Sequence, residues 1–197
     1  AEPEKTFSDS MTDVEQNLAD YPTLIYDGPF ADNVLNKAGG KMLKTLQEII
    51  DRARRIVFFG GAGVSTASGI PDFRSVDGLY NQKYAYPPET ILSHDFFIRR
   101  TGEFYRFYRD KMLPLDAKPN AAHLKLAQWE QEGKMAGIVT QNIDGLHRIA
   151  GNRLVYEIHG SVHENYCMDC GRQYDLNWLL STSGVPKCEK CGGISGR

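Results

Sequence analysis

Four cysteines are all that the chain contains, and they stand as two C-x-x-C pairs, Cys167-Met168-Asp169-Cys170 and Cys188-Glu189-Lys190-Cys191. Two thiolate pairs at this separation suit one tetrahedral Zn2+ ion. Gly171 follows the first pair and Gly192-Gly193 the second, as tight knuckle turns require. Four thiolates close the coordination shell and leave no position for water, so the metal's expected role is structural. Disulfide pairing is the competing expectation; it fits poorly with a sequence that shows no secretory signal and no further cysteine.

A second constellation lies upstream. Arg55-Ile56-Val57-Phe58-Phe59 reads as a buried strand, and it runs into Gly60-Gly61-Ala62-Gly63-Val64-Ser65-Thr66. Glycines at this exit allow a tight turn and close backbone approach, so that successive N–H groups can face a pyrophosphate. Gly69-Ile70-Pro71-Asp72-Phe73-Arg74 then places an aromatic ring, a carboxylate and a guanidinium beside that turn. The turn departs from a dehydrogenase fingerprint: Thr66 stands where glycine is wanted, and no acid for a ribose follows about 20 residues on.

Two further strand ends point to the same place. Met135–Val139 reads as a strand leading into Thr140-Gln141-Asn142-Ile143-Asp144-Gly145-Leu146-His147, and Leu154–Ile158 as another ending at His159-Gly160. In an open parallel sheet a ligand sits beyond the carboxyl ends of the strands, so polar residues at three such ends can converge on it. Of the five histidines, His94, His123 and His163 read as structural, and His147 as a brace of its loop. His159 closes a buried strand and precedes a glycine that opens space. An imidazole there, with an ordinary pKa near ~6.5, can accept a proton at neutral pH.

Taken together, these segments resemble the sirtuin family of NAD-dependent protein deacylases. The Gly-Ala-Gly-x-Ser turn, Gly-Ile-Pro-Asp-Phe-Arg, Thr-Gln-Asn-Ile-Asp and His-Gly occur in the family's order, and Pro119-Asn120-Ala121-Ala122-His123 also follows its pattern. The resemblance runs from about Lys41 to Gly192. It implies an α/β fold, a Rossmann-like parallel sheet with a small zinc-ribbon module, and two ligands, NAD and a structural Zn2+ on Cys167, Cys170, Cys188 and Cys191. It implies transfer of an acyl group from a protein lysine to ADP-ribose, with release of nicotinamide. His159 is then the general base that takes a proton from the ribose hydroxyls, with Asn142 and Asp144 shaping the ribose site.

The cofactor contacts carry over residue by residue. Gly61, Ala62, Gly63, Ser65 and Thr66 are expected at the phosphates and nearby ribose, with Arg74 as a mobile cation. Phe73 covers the sugar, and Asp72 fixes the loop that holds Phe73 and Arg74. Ile143 and Asp144 receive the nicotinamide carboxamide, while Gln141 and Asn142 orient the ribose and an ordered water. Members that remove succinyl or malonyl groups place a tyrosine and an arginine three apart after the Phe-Arg motif. Here Tyr80 is followed by Lys83 and Tyr84 by Pro87, and lysine cannot reproduce arginine's bidentate fork. Acetyl or longer apolar acyl groups are therefore expected. Family members also continue past the second cysteine pair, so the sequence to Arg197 is expected to lack the C-terminal half of the sheet. Mono-ADP-ribosyl transfer and non-catalytic NAD and zinc binding are the alternatives.

The elements that must position these residues are legible in outline. Residues 1–40, acidic at first and then punctuated by Tyr21-Pro22 and Gly28-Pro29, read as an N-terminal extension. Residues 41–160 read as the NAD-binding portion with a helical segment, and 161–197 as the zinc module. Met42, Leu43, Leu46, Ile49, Ile50 and Ala53 recur at helical spacing over Lys41–Arg54. Ser93 is a plausible cap for a helix using Phe96, Phe97, Phe104, Phe107 and Tyr108, which read as core. Ala121–Glu132 reads as a helix ended by Gly133. A net charge of −2 with no basic run argues against a nucleic-acid partner, and no apolar run approaches a membrane span. A soluble cytoplasmic enzyme acting on acylated lysine of proteins is the expected class.

Overall fold

The computed structural model describes residues 24–27, 46–73, 78–79 and 84–196. Arg74 and the Tyr80–Lys83 stretch of the acyl-preference argument lie outside the described residues, as does most of the expected N-terminal extension. Residues 46–52 are helical, in keeping with the periodicity over Lys41–Arg54.

Four parallel strands form one sheet in the order β1 (Leu24–Asp27), β2 (Ile56–Gly60), β3 (Met135–Thr140), β4 (Val155–Glu157). Three of them are the strands expected from their β-branched and aromatic runs. The edge strand is not: Leu24–Asp27 falls within the stretch read as an extension, yet pairs with β2 from Leu24↔Val57 to Asp27↔Gly60. A four-residue run beside Tyr21-Pro22 and Gly28-Pro29 carries too little pattern to be seen alone.

Alternation along the strands covers both faces, as a parallel sheet needs. Ile56, Phe58, Ile138 and Val155 pack with Val64, Leu126 and Trp129 on one face, while Val57 and Val139 pack with Phe59, Tyr156 and Ile158 on the other. Leu126 and Trp129 come from a helix over Ala121–Gln131. Asn120 caps it, accepting from the amides of Ala122 at 2.9 Å and His123 at 3.4 Å.

A helical lobe intervenes between β2 and β3: α1 (Pro88–Ile91), α2 (His94–Arg99) and α3 (Thr101–Phe107), continued by a π-helical turn over Tyr108–Met112. Ser93 caps α2 through its hydroxyl, which accepts from Phe96 N at 3.2 Å. Phe96, Phe104, Phe107 and Tyr108 are buried in one core, joined by Ile91, Tyr105 and Met112. Each such side chain contributes about 1.5–3 kcal/mol on burial.

The four cysteines belong to a second, antiparallel sheet in the order β6 (Gln173–Asp175), β5 (Glu164–Cys167), β7 (Ser195–Gly196). A short helix over Leu176–Ser181 follows β6. Its Leu179, fully buried, lies in the helical lobe's core together with Val162. Arg109 reinforces the union by donating to the Leu179 carbonyl at 2.7 Å and to Thr182 Oγ1 at 2.9 Å, and the Tyr105 hydroxyl donates to the Ser195 carbonyl. The helical segment thus shares one core with the cysteine module.

Candidate functional site

Register decides where the site forms. Gly60 lies beside Thr140, and Thr140 beside Glu157, so the three strands end at one level. Whatever follows each strand meets the others there.

After β2, Gly61 opens a 3-10 helix over Ala62–Ser68 and supplies no side-chain cap. The first 3-10 bond runs from Val64 N to the Gly61 carbonyl at 3.1 Å, so the N–H groups ahead of it, those of Ala62 and Gly63, precede the helical bonding, the arrangement that suits a phosphate. Gly63 and Thr66 are exposed and Ala62 half-exposed; the Thr66 hydroxyl folds back onto the Gly63 carbonyl at 2.9 Å. Ser65, expected at the phosphates and nearby ribose, is bonded within the protein. It is fully buried, because its hydroxyl donates to Asp144 Oδ2 at 2.7 Å and accepts from Asn142 Nδ2 at 2.9 Å. Its place is to hold those two side chains.

After β3, the Thr140 hydroxyl accepts from Asn142 N at 3.0 Å and bends the chain inward. Asn142 and Asp144 are both buried. Asp144 tolerates burial because both its oxygens accept: Oδ2 from Ser65, and Oδ1 from Leu146 N at 2.9 Å. Each oxygen keeps a second lone pair for a ligand N–H. Ile143 is half-buried against the helical lobe's core, and so is Phe73. The Asp72 carbonyl accepts from Leu79 N at 2.9 Å, which ties the Phe73 loop to that lobe.

After β4, His159 is exposed and its Nδ1 lies 3.1 Å from the Gln141 carbonyl oxygen. A carbonyl can only accept, so Nδ1 carries the proton and Nε2 is the ring's acceptor. That tautomer is the one a general base needs. Gln141 itself is held by its amide to the Gly60 carbonyl at 2.9 Å.

His147 and His123 lie behind this layer, their rings 4.7 Å apart. Burial pushes His147 down to about 4, the neighbouring His123 ring adds to the effect, and Asp144 opposes it. His123 is lowered by burial, again opposed by Asp144. His147 braces its loop through its carbonyl, which accepts from Asn152 N and Nδ2, both at 3.1 Å.

Sequence reasoning gave Asn120 no role at the site. Its Nδ2 donates to the Val64 carbonyl at 2.7 Å and to Ser68 Oγ at 3.0 Å, which pins the 3-10 helix to the capped helix. Asparagine before Ala-Ala-His was a readable cap signal, but nothing local marks a partner some fifty residues away.

The cysteine sulfurs all lie within 4.8 Å of one another. Cys167 and Cys191 are 3.4 Å apart and Cys170 and Cys188 3.7 Å, close to the ~3.8 Å edge of a tetrahedron with ~2.3 Å Zn–S bonds. None of the four is joined in a disulfide. The Tyr174 hydroxyl donates to Cys188 Sγ at 3.1 Å and is the main cause that brings this thiol down to about 6. Tyr174 in turn stacks on Trp178 with ring centroids 3.7 Å apart.

Comparison with known proteins agrees with this geometry. Residues 61–195 match the Sir2 family. An NAD-dependent protein deacetylase of Clostridium acetobutylicum is 58% identical over 155 residues, which are 77% of this chain and 63% of that protein. One of Thermotoga maritima is 42% identical over 156 residues, 77% of this chain and 62% of that protein. A solved Sir2 structure with a deacetylated peptide and 3′-O-acetyl ADP ribose superposes with a TM-score of 0.70 at 40% identity, covering 78% of this chain and 62% of that one. A Sir2 homologue complexed with ADP ribose gives 0.68 at 35% identity, covering 80% and 61%. The chain thus spans about 63% of the length of the curated relatives first matched. Among the described residues no helix is long and apolar enough to cross a membrane.

Proposed function

The chain belongs to the Sir2 family, and from that premise we propose that the whole protein removes acyl groups from protein lysines at the expense of NAD. The observation that supports this reading is the aligned exit of three strands, with exposed His159 placing its Nδ1 3.1 Å from the Gln141 carbonyl.

NAD, when bound, supplies a ribose carbon made reactive by loss of nicotinamide. The backbone of Gly61, Ala62, Gly63 and Thr66 receives its phosphates, with Arg74 as counter-charge. Asp144 and Ile143 hold the nicotinamide carboxamide, Asp144 by accepting its N–H. Asn142 and Gln141 orient the ribose, and Ser65 holds Asn142 and Asp144 in place from behind. Phe73 would cover the sugar and exclude water. His159 takes up a ribose hydroxyl proton at Nε2. Cys167, Cys170, Cys188 and Cys191 hold Zn2+, which orders the module and takes no part in the reaction.

The test is mass spectrometry of an acetyl-lysine peptide incubated with the whole protein and NAD. Loss of acetyl with appearance of O-acetyl-ADP-ribose is expected; a gain of ADP-ribose on the peptide would identify a transferase instead. His159→Ala should lower deacetylation by about 10²-fold or more, the scale for a positioned base, while nicotinamide exchange is better retained. On matched peptides acetyl should be removed faster than succinyl, because no tyrosine–arginine pair follows Phe73-Arg74.

A further inference from the structure

The approach to the cysteine module runs directly along the loop that carries Asn142 and Asp144. Val162, almost wholly buried, donates from its amide to the Ile143 carbonyl at 2.9 Å. One residue on, His163 Nε2 lies 3.3 Å from the Asp144 carbonyl oxygen. The oxygen can only accept, so this contact fixes the proton of a neutral His163 on Nε2. The imidazole also occupies the space above Gly145. A Cβ at that glycine would lie 2.6 Å from His163 Cδ2 and 2.7 Å from Nε2, and the glycine has φ +72°. Position 145 is therefore restricted to glycine twice over, once by its backbone and once by the ring against it.

Four residues after His163 comes Cys167, a ligand of the four-sulfur site, at the end of β5. Between them Asn165, also buried, donates to the Val162 carbonyl at 3.2 Å. A continuous path of bonded backbone thus leads from the metal cage to the turn whose carboxylate caps Leu146 and meets Ser65.

We propose that His163 is a positioning residue: by donating from Nε2 to the Asp144 carbonyl and packing on Gly145, it sets the Asp144 side chain and ties the nicotinamide end of the site to the cysteine module. The nicotinamide part of this statement rests on the function proposed above; the tie itself does not. Asp144 is fixed on one side by Ser65 and Leu146 through its carboxylate, and on the other by His163 through its backbone. Removing the latter takes away one of the two bonds that join this turn to the module, the other being Val162 N to the Ile143 carbonyl.

The test compares His163→Ala, His163→Leu and His163→Gln in the whole protein. Glutamine can place an N–H where Nε2 stands; leucine fills space without a donor. Hydrogen exchange of the segment 143–147, measured without NAD, should quicken about tenfold in the alanine and leucine variants, the scale of one lost hydrogen bond. It should return to within about twofold of the parent with glutamine, with zinc content unchanged throughout. In turnover the alanine variant should raise the KM for NAD and weaken nicotinamide inhibition more than it lowers kcat. Parent-like exchange in His163→Ala overturns the tie, and so does full protection by leucine. Faster exchange with unaltered KM and nicotinamide inhibition overturns the positioning role. A parent protein inert toward NAD would refute the deacylase reading while the exchange result still decides the tie.

Discussion

At the scale of single residues, the site is a set of polar groups made safe to bury by one another. Ser65 serves Asn142 and Asp144 at once, and the three come from two strand exits. His147 and His123 are the groups behind them that can titrate, with Asp144 the charged group they face. His147 ionises near 6.5 when unfolded but only at about 4 in the fold. Its stabilising effect is therefore fully present above pH 6.5 and is lost as pH falls toward 4, because the unfolded chain takes up a proton that the folded one refuses. The total is on the order of 3 kcal/mol, and His123 acts in the same direction. Urea midpoints measured from pH 7 down to 4 should fall, and His147→Leu should flatten that fall. An equally steep decline in the variant would assign the effect elsewhere.

At the scale of elements, the glycine-rich turn is held by a helix end as well as by its own strand. Asn120 accepts from the amides that open the Ala121–Gln131 helix and donates into the 3-10 helix at Val64 and Ser68. Asn120→Ala should cost about 1–2 kcal/mol, the upper part of the range for a lost cap, and should weaken NAD binding. Asn120→Asp keeps the cap acceptor but has no N–H for Val64. It should retain most of the stability and still bind NAD less well, as calorimetry would measure. Equal NAD affinity in Asn120→Asp and the parent would limit Asn120 to capping.

At the scale of the whole molecule, the cysteine module and the helical lobe stand or fall together. Leu179 is buried in the lobe's core, Arg109 reaches the Leu179 carbonyl and Thr182, and Tyr105 reaches Ser195. Metal binding here is folding free energy. Removing zinc with a chelator should therefore disorder the lobe as well as the knuckles, seen as loss of the Trp178–Tyr174 stack by fluorescence and faster amide exchange over 94–112. Cys167→Ser or Cys188→Ser should do the same. Confinement of the change to 161–196 would show two separable units.

What the sequence alone determined follows from local chemistry. The glycine exit, the polar run after Met135–Val139, His159 and the two cysteine pairs are each legible because their residue types are costly or useless unless used together. Strands β2, β3 and β4 are legible because a buried strand must be β-branched and apolar. Three things needed the tertiary structure. Leu24–Asp27 joins the sheet through backbone bonds to β2, which no side-chain pattern announces. Ser65 bonds to Asp144, because the 3-10 helix turns it toward a partner 79 residues along the chain. The helical aromatics, correctly read as core, share that core with Leu179 and Val162. Periodicity tells that a face is buried; only the packing of distant segments tells against what.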